Sequence, residues 1–300
     1  MSDPLQQSAA PDSRTARPDG AWDAPVDPLA LLARPDKWFV SGGRALAYAP
    51  PFPLFLDSPG FWDTAHYLHF PVTPGFSYAL LDEDGRVVPL SAGTRDWRPD
   101  RTSLRFIAPG LHVREDRVIP GLDALVSRVT VRNTAAVPRR LQVIAWTSQS
   151  LDDQPLPQSG EAGSATFDRT AQSGTAVHLD GPAQSVTRPV GAPRGQSLPM
   201  TTALALSGAR SRLAVVAEPA ASRPALFLTP FIELIGPDGL APQGPLPDLN
   251  AGGTAHLAVE RPLTLAPGEV ASFTVALGVG SREDAARNAA VEAAALADPA

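Results

Sequence analysis

The residue types best suited to chemistry crowd into one stretch, DSPGFWDTAHYLHFP, at residues 57–71. It brings Trp62, Asp63, His66, Tyr67 and His69 close together in the chain. A sugar ring has apolar C–H faces that pack on aromatic rings, and hydroxyls that need converging polar groups. Trp62 or Tyr67 would stack on such a face, Asp63 and His66 would bond hydroxyls, and Asp57 or His69 would assist. The same aromatics, with Phe61 and Phe70, would serve equally as packing at a sheet edge, with Asp63 closing a turn. Asp57-Ser58-Pro59-Gly60 is turn chemistry under either reading. His66 and His69 have a spacing that two metal ligands can use, but no third ligand phrase accompanies them, and no metal is expected. An epimerase-type site would need a carboxylate base and a histidine acid on opposite sides of one sugar ring. His66, His69, His112, His178, His256 and Glu233 are the groups available for it, and none carries a local signature of that chemistry.

The bulk properties remove several other classes. The net charge is −6 and no basic cluster or P-loop appears, which argues against a nucleic-acid partner. No apolar run approaches the roughly 18 residues that a membrane helix needs. Cysteine is absent, so disulfides, thiolate metal sites and cysteine nucleophiles drop out together. The N-terminus has no basic start followed by an apolar stretch, so a cytoplasmic location is the expectation. Lys37 is the only lysine, and alanine and proline abound, a composition typical of a GC-rich bacterial genome. No cofactor is implied.

The elements that must position these residues are strands. Residues 1–27 are polar and proline-rich and read as a disordered tail. YALLDEDGRVVPL (78–90) reads as a hairpin around Asp84-Gly85. In 124–148, Ser127, Val129 and Val131 share one face and Arg128, Thr130 and Arg132 the other, before Asn133–Pro138 turns into a second strand. Arg128, Arg132, Arg139 and Arg140 read as a solvated sheet face. Residues 149–198 read as long loops on an exposed rim with one or two short strands. Strands resume over 201–207, 212–218, 225–235 and 254–280, the last divided by an APGE turn. Ser281 is the expected N-cap of an alanine-rich terminal helix. Together these features predict an all-β fold, a large two-sheet antiparallel supersandwich over residues 28–280, followed by a linker helix over 281–300.

Two phrases, GLHVREDRVIPGLDALVSRVTVRNTAAVPRRLQVIAW and LTLAPGEVASFTVALGVGSREDAARNAA, resemble the N-terminal β-supersandwich of glycoside hydrolases and sugar phosphorylases with an α/α-toroid catalytic domain. Amylo-α-1,6-glucosidases of the glycogen-debranching type are the nearest group, and the sandwich shares the galactose mutarotase-like fold. The resemblance implies a non-catalytic accessory domain. It would support a toroid, in cis or in trans, and contact an α-glucan or oligosaccharide through Trp62, Asp63, His66, Tyr67 and His69. The family's catalytic carboxylates belong to the toroid, which would begin where this sequence ends, so no catalytic residue is expected here. A self-sufficient aldose-epimerase-like enzyme and a stand-alone carbohydrate-binding sandwich are the alternatives. GLHVRED and the terminal helix are candidate interface segments.

Overall fold

The computed structural model describes residues 40–41, 46–48, 57–62, 65–67, 70–72, 75–98, 100–151, 176–179, 182–191, 197–209, 212–218, 229–245, 247 and 253–296. The expected tail, 1–27, lies outside them. In chain order the strands begin with β1 (Val40–Ser41), β2 (Leu46–Tyr48), β3 (Ala65–Tyr67), β4 (Phe70–Val72) and β5 (Ser77–Leu81). They continue as β6 (Ser91–Arg98), β7 (Arg101–Ala108), β8 (Leu111–Val118), β9 (Ala124–Asn133) and β10 (Arg139–Ser150). Then come β11 (Ala176–His178), β12 (Ala183–Gly191), β13 (Ser197–Leu206) and β14 (Arg212–Glu218). The series closes with the short pair β15 (Ile235–Gly236) and β16 (Gly239–Leu240), and then β17 (Thr254–Leu265) and β18 (Val270–Gly280). Helix α1 (Glu283–Ala295) follows.

The fold is the expected all-β antiparallel sandwich. An eight-stranded sheet, ordered β11-β12-β13-β18-β9-β8-β7-β6, faces a four-stranded sheet, β14-β17-β10-β5. The first four strands make a separate antiparallel meander, β1-β2-β3-β4. The main core lies between the two larger sheets. Leu104, Phe106, Val113, Val129, Val131 and Phe273 come from one side, and Tyr78, Leu80, Val143, Ala145, Val259 and Leu263 from the other. On β9 the alternation behaves as the sequence predicts: Val129 and Val131 are buried, and Arg132 is exposed.

The two long apolar phrases do not form hairpins. Residues 134–138 carry the chain from β9 in the large sheet to β10 in the small one, and residues 266–269 carry it from β17 to β18 in the reverse sense. These two arches lie together, and fully buried Asn133 fastens them. Its amide nitrogen donates to the carbonyls of Val137 (2.8 Å), Leu265 (3.1 Å) and Ala266 (3.1 Å). Its side-chain oxygen accepts from the Ala135 amide at 2.9 Å. Its own backbone exchanges bonds with Glu269 and Gly268. One side chain thus satisfies carbonyls at both sheet-to-sheet crossings, where neither ladder can reach them.

Helix α1 packs back on the outer face of the large sheet. Ala286, Ala289, Ala290, Ala293 and Ala294 are buried at helical spacing, against Val126, Ala203, Ala205 and Ala276. Alanine on alanine brings the two backbones close, and Gly278 on β18 makes room. A methyl there would sit 2.1 Å from the Ala286 carbonyl oxygen and 2.7 Å from the Ala290 nitrogen.

Several expectations shift. The second arm of the 78–90 hairpin returns as an isolated bridge, Leu81 to Val87, with backbone hydrogen bonds from Asp82 to Arg86 and from Val88 to Leu80, and not as a full strand. Pro89 has no N–H with which to continue the ladder. Within 225–235, residues Thr229–Leu234 form a 3-10 helix rather than a strand. Pro230 sets a helical φ, and Phe231 and Leu234, three apart, both pack on the outer apolar cluster of the small sheet. Within 149–198 the segment β12 is no rim, because Gln184, Ser185, Val186 and Arg188 are buried. The N-cap of α1 is Arg282 in an extended conformation, not Ser281.

Candidate functional site

Residues 57–62 cross the sandwich as a loop held from beneath. Two charged residues of β8 do most of the holding. Leu111, Val113, Glu115 and Arg117 share the inward face of this strand, so a carboxylate and a guanidinium enter a position that apolar side chains normally fill. Glu115 is 0% exposed and Arg117 1%. The Glu115 Oε1 accepts from the Gly60 amide (3.0 Å) and the Ser127 hydroxyl (2.5 Å), and its Oε2 accepts from Arg117 Nη2 (3.0 Å). The same Arg117 nitrogen donates to the Ser58 carbonyl, and the Ser77 hydroxyl donates to the Pro59 carbonyl at 2.8 Å. Consecutive backbone groups of Ser58, Pro59 and Gly60 are therefore each bonded to a side chain of the core. Asp57 adds an ion pair with Arg95 on the edge strand β6, at 3.5 Å.

Gly60 is needed for this seat. Its φ is +86°, and a methyl on it would meet the Phe76 carbonyl oxygen at 2.5 Å. Phe61 then bridges Phe76 in antiparallel fashion, with ring centroids 5.5 Å apart, and is wholly buried. Trp62 follows immediately and is half-buried. The DSPGF half of the stretch is thus core-anchored backbone carrying Trp62 at its end. His66 and Tyr67 belong to β3, where they pair with Ala47 and Leu46 on one side and with Pro71 and Phe70 on the other. Asp63 and His69 lie outside the described residues.

The anchor is electrostatically closed. Both oxygens of Glu115 accept from donors of the core, and the carboxylate is wholly buried. Its charge is felt by Tyr78, whose hydroxyl is pushed well above its usual pKa, first by burial and then by the Glu115 carboxylate.

A second polar array lies on the outer face of the small sheet. Ser148 on β10 and His256 on β17 are cross-strand partners, with Ser148 Oγ 2.8 Å from His256 Nδ1. The other ring nitrogen, Nε2, lies 3.4 Å from Glu218 Oε2 at the end of β14. Hydroxyl, imidazole and carboxylate in line is the order of a nucleophilic triad. Here, however, Ser148 and His256 are both 0% exposed, and the Phe231 ring packs edge-on against the imidazole at 6.3 Å. No acyl group can reach the hydroxyl. Burial lowers the His256 pKa, against the opposing pull of Glu218, so the ring is held neutral as a hydrogen-bonding strut.

The remaining candidates disperse. His112 is exposed on β8, and Glu233 is exposed on the 3-10 helix. Among the described residues, no group of three or more metal-ligating side chains converges, and no helix is long and apolar enough to cross a membrane. Sequence reasoning missed Glu115 and Arg117: Glu115 fell within the candidate interface segment GLHVRED, and Arg117 was not singled out. The signal was present in the strict alternation from Leu111 to Arg117, which sends both charges inward.

No protein-family model matches the chain, and neither does any curated protein. Among solved structures, the chain is similar to a bacterial glucoamylase complexed with acarbose, at 8% identity and a TM-score of 0.42, covering 78% of this chain and 31% of that one. It is also similar to a polysaccharide lyase, at 15% identity and a TM-score of 0.36, covering 72% and 27%. A third similarity is to a family GH92 α-mannosidase from Bacteroides thetaiotaomicron, at 8% identity and a TM-score of 0.31, covering 79% and 28%. The chain thus spans roughly a third or less of the length of each of these structures.

Proposed function

We propose that this chain is a non-catalytic sandwich domain of a carbohydrate-active protein of the glucosidase or debranching type. It presents the 57–62 loop, with Trp62 at its end, to an α-glucan or oligosaccharide, while a helical toroid in cis or in trans performs the chemistry. The observation that carries this reading is the commitment of Glu115 and Arg117 to fixing the backbone of Ser58 and Gly60 immediately before Trp62. A loop held in this way loses little entropy on meeting a ligand, which is what a recognition surface requires. Two further features support it. The imidazole of His256 and the carboxylate of Glu115 are both wholly buried and already hydrogen-bonded within the sandwich. The two phrases that resemble toroid-bearing hydrolases lie at the joints of the sandwich, where Asn133 joins the arches and Gly278 admits the helix.

The test is a titration of the purified chain with maltotriose, followed by tryptophan fluorescence, alongside a mutarotation assay on glucose and galactose. We expect a saturable fluorescence change that Trp62→Ala abolishes, and no mutarotation above buffer. A change that survives Trp62→Ala removes the loop from the site. Mutarotation well above buffer would replace this reading with the epimerase one.

A further inference from the structure

The outer face of the small sheet also carries a cavity of about 550 Å3, lined by Asp82, Glu83, Arg140, Gln142, Arg212 and Asp238. Arg140 and Gln142 stand on β10, and Arg212 on β14. The Arg212 guanidinium is held by a 2.6 Å bond from Nη1 to the Leu240 carbonyl. Two turns supply the carboxylates and brace each other. Asp82 Oδ1 accepts from the amides of Asp84 (3.0 Å) and Arg86 (2.9 Å), closing the first turn. That turn then meets the second at Gly85, where a methyl would stand 2.6 Å from the Gly236 carbonyl oxygen. The walls therefore exist before any ligand arrives.

The charges in this cavity face one space without neutralising one another. Among the described residues, neither Arg140 nor Arg212 forms an ion pair with a carboxylate, and Glu83 and Asp238 have no cationic partner. The Gln142 amide oxygen is buried without a donor. An anion would meet three carboxylates, and a cation would meet two guanidinium groups. A neutral ligand rich in hydroxyls suits all of them, because each hydroxyl donates to a carboxylate or amide oxygen and accepts from a guanidinium. Pro237 and Pro262, also in the wall, offer apolar surface to C–H groups. The volume falls within the roughly 300–1,000 Å3 of small-molecule sites.

We infer that this cavity binds a neutral saccharide of one or two rings, at a site separate from the Trp62 loop. The inference rests on the carbohydrate reading above for its ligand class, and on the cavity for its place. Isothermal titration of the full chain with maltose, cellobiose and lactose tests it, with glutamate and citrate as charged controls. Asp238→Asn and Arg140→Gln are the cavity variants, since both side chains are exposed and neither holds a described element. At least one disaccharide should bind, and each cavity variant should weaken it about tenfold, the loss of one charge-assisted hydrogen bond. Trp62→Ala should leave that affinity unchanged. Three results overturn the inference: no disaccharide binds, a charged control binds in preference, or neither cavity variant changes the affinity. Binding lost with Trp62→Ala but kept in the cavity variants would leave the loop reading standing and remove this one. The converse pattern would remove the loop reading and keep the cavity.

Discussion

Replacing Glu115 by glutamine changes one atom and removes the counter-charge of a guanidinium that is 1% exposed. The glutamine oxygen can still accept from Gly60 or Ser127, but the new NH2 faces Arg117 Nη2, so donor meets donor across the 3.0 Å now spanned by the ion pair. Removing one partner of a buried pair costs about 3–5 kcal/mol. The retained acceptor places this change at the lower end, about 3 kcal/mol. For a domain of this size each kcal/mol moves the melting temperature by about 2–4 °C, so a fall of about 6–12 °C is expected. Differential scanning calorimetry at neutral pH measures it. The double change Glu115→Leu with Arg117→Met removes both buried charges but takes these partners away from the Gly60 amide, the Ser127 hydroxyl and the Ser58 carbonyl, so it should also melt below the parent. It should speed amide exchange at Gly60, whose N–H would have no acceptor. A Glu115→Gln protein that melts within about 2 °C of the parent would show that the pair contributes little and that the loop is held by other contacts.

Gly278→Ala places a methyl 2.1 Å from the Ala286 carbonyl. The helix must lift, at an overpacking cost of about 1–3 kcal/mol, and limited proteolysis should cut within 283–295 sooner than in the parent; equal protection would mean that the helix shifts freely on the sheet. The raised pKa of Tyr78 gives a signed pH effect. The buried phenol stays protonated where the unfolded one ionises, so stability is unaffected below pH 10 and falls as pH rises above it. Urea denaturation between pH 9 and 11 should show that slope, and Tyr78→Phe should reduce it; an unchanged slope would assign the alkaline loss to other groups.

Much of the strand content was legible from alternation. Residues 212–218 are the strand β14 as predicted, and the faces of Val129, Val131 and Arg132 come out as read. Alternation says which face a residue takes but not which strand it will pair with. Two consecutive strands around Asn133–Pro138 read the same whether they form a hairpin or cross between sheets, and here they cross. The site was less legible for a related reason. Glu115 and Arg117 look like surface charges in composition, and only their period with Leu111 and Val113 reveals that they point inward. The cavity beside Gln142 joins residues from β5–β6, β10, β14 and β15–β16, and no spacing along the chain encodes such a meeting. In the aromatic stretch, residue types drew attention to Trp62, but the backbone of Ser58 to Gly60 is the part that core side chains hold.

The Asn133 clamp has a consequence for how the chain folds. It joins residue 133 to carbonyls at 265 and 266, and the strands on either side of that distant turn take central places. In the large sheet β18 lies between β13 and β9, and in the small sheet β17 lies between β14 and β10. Both sheets therefore lack a central strand until the C-terminal arch has been synthesised. Pairings across so many residues carry a large loop-closure cost and slow the search. The expected folding is late and cooperative: the N-terminal strands wait with open edges, and the last arch completes both sheets in one step.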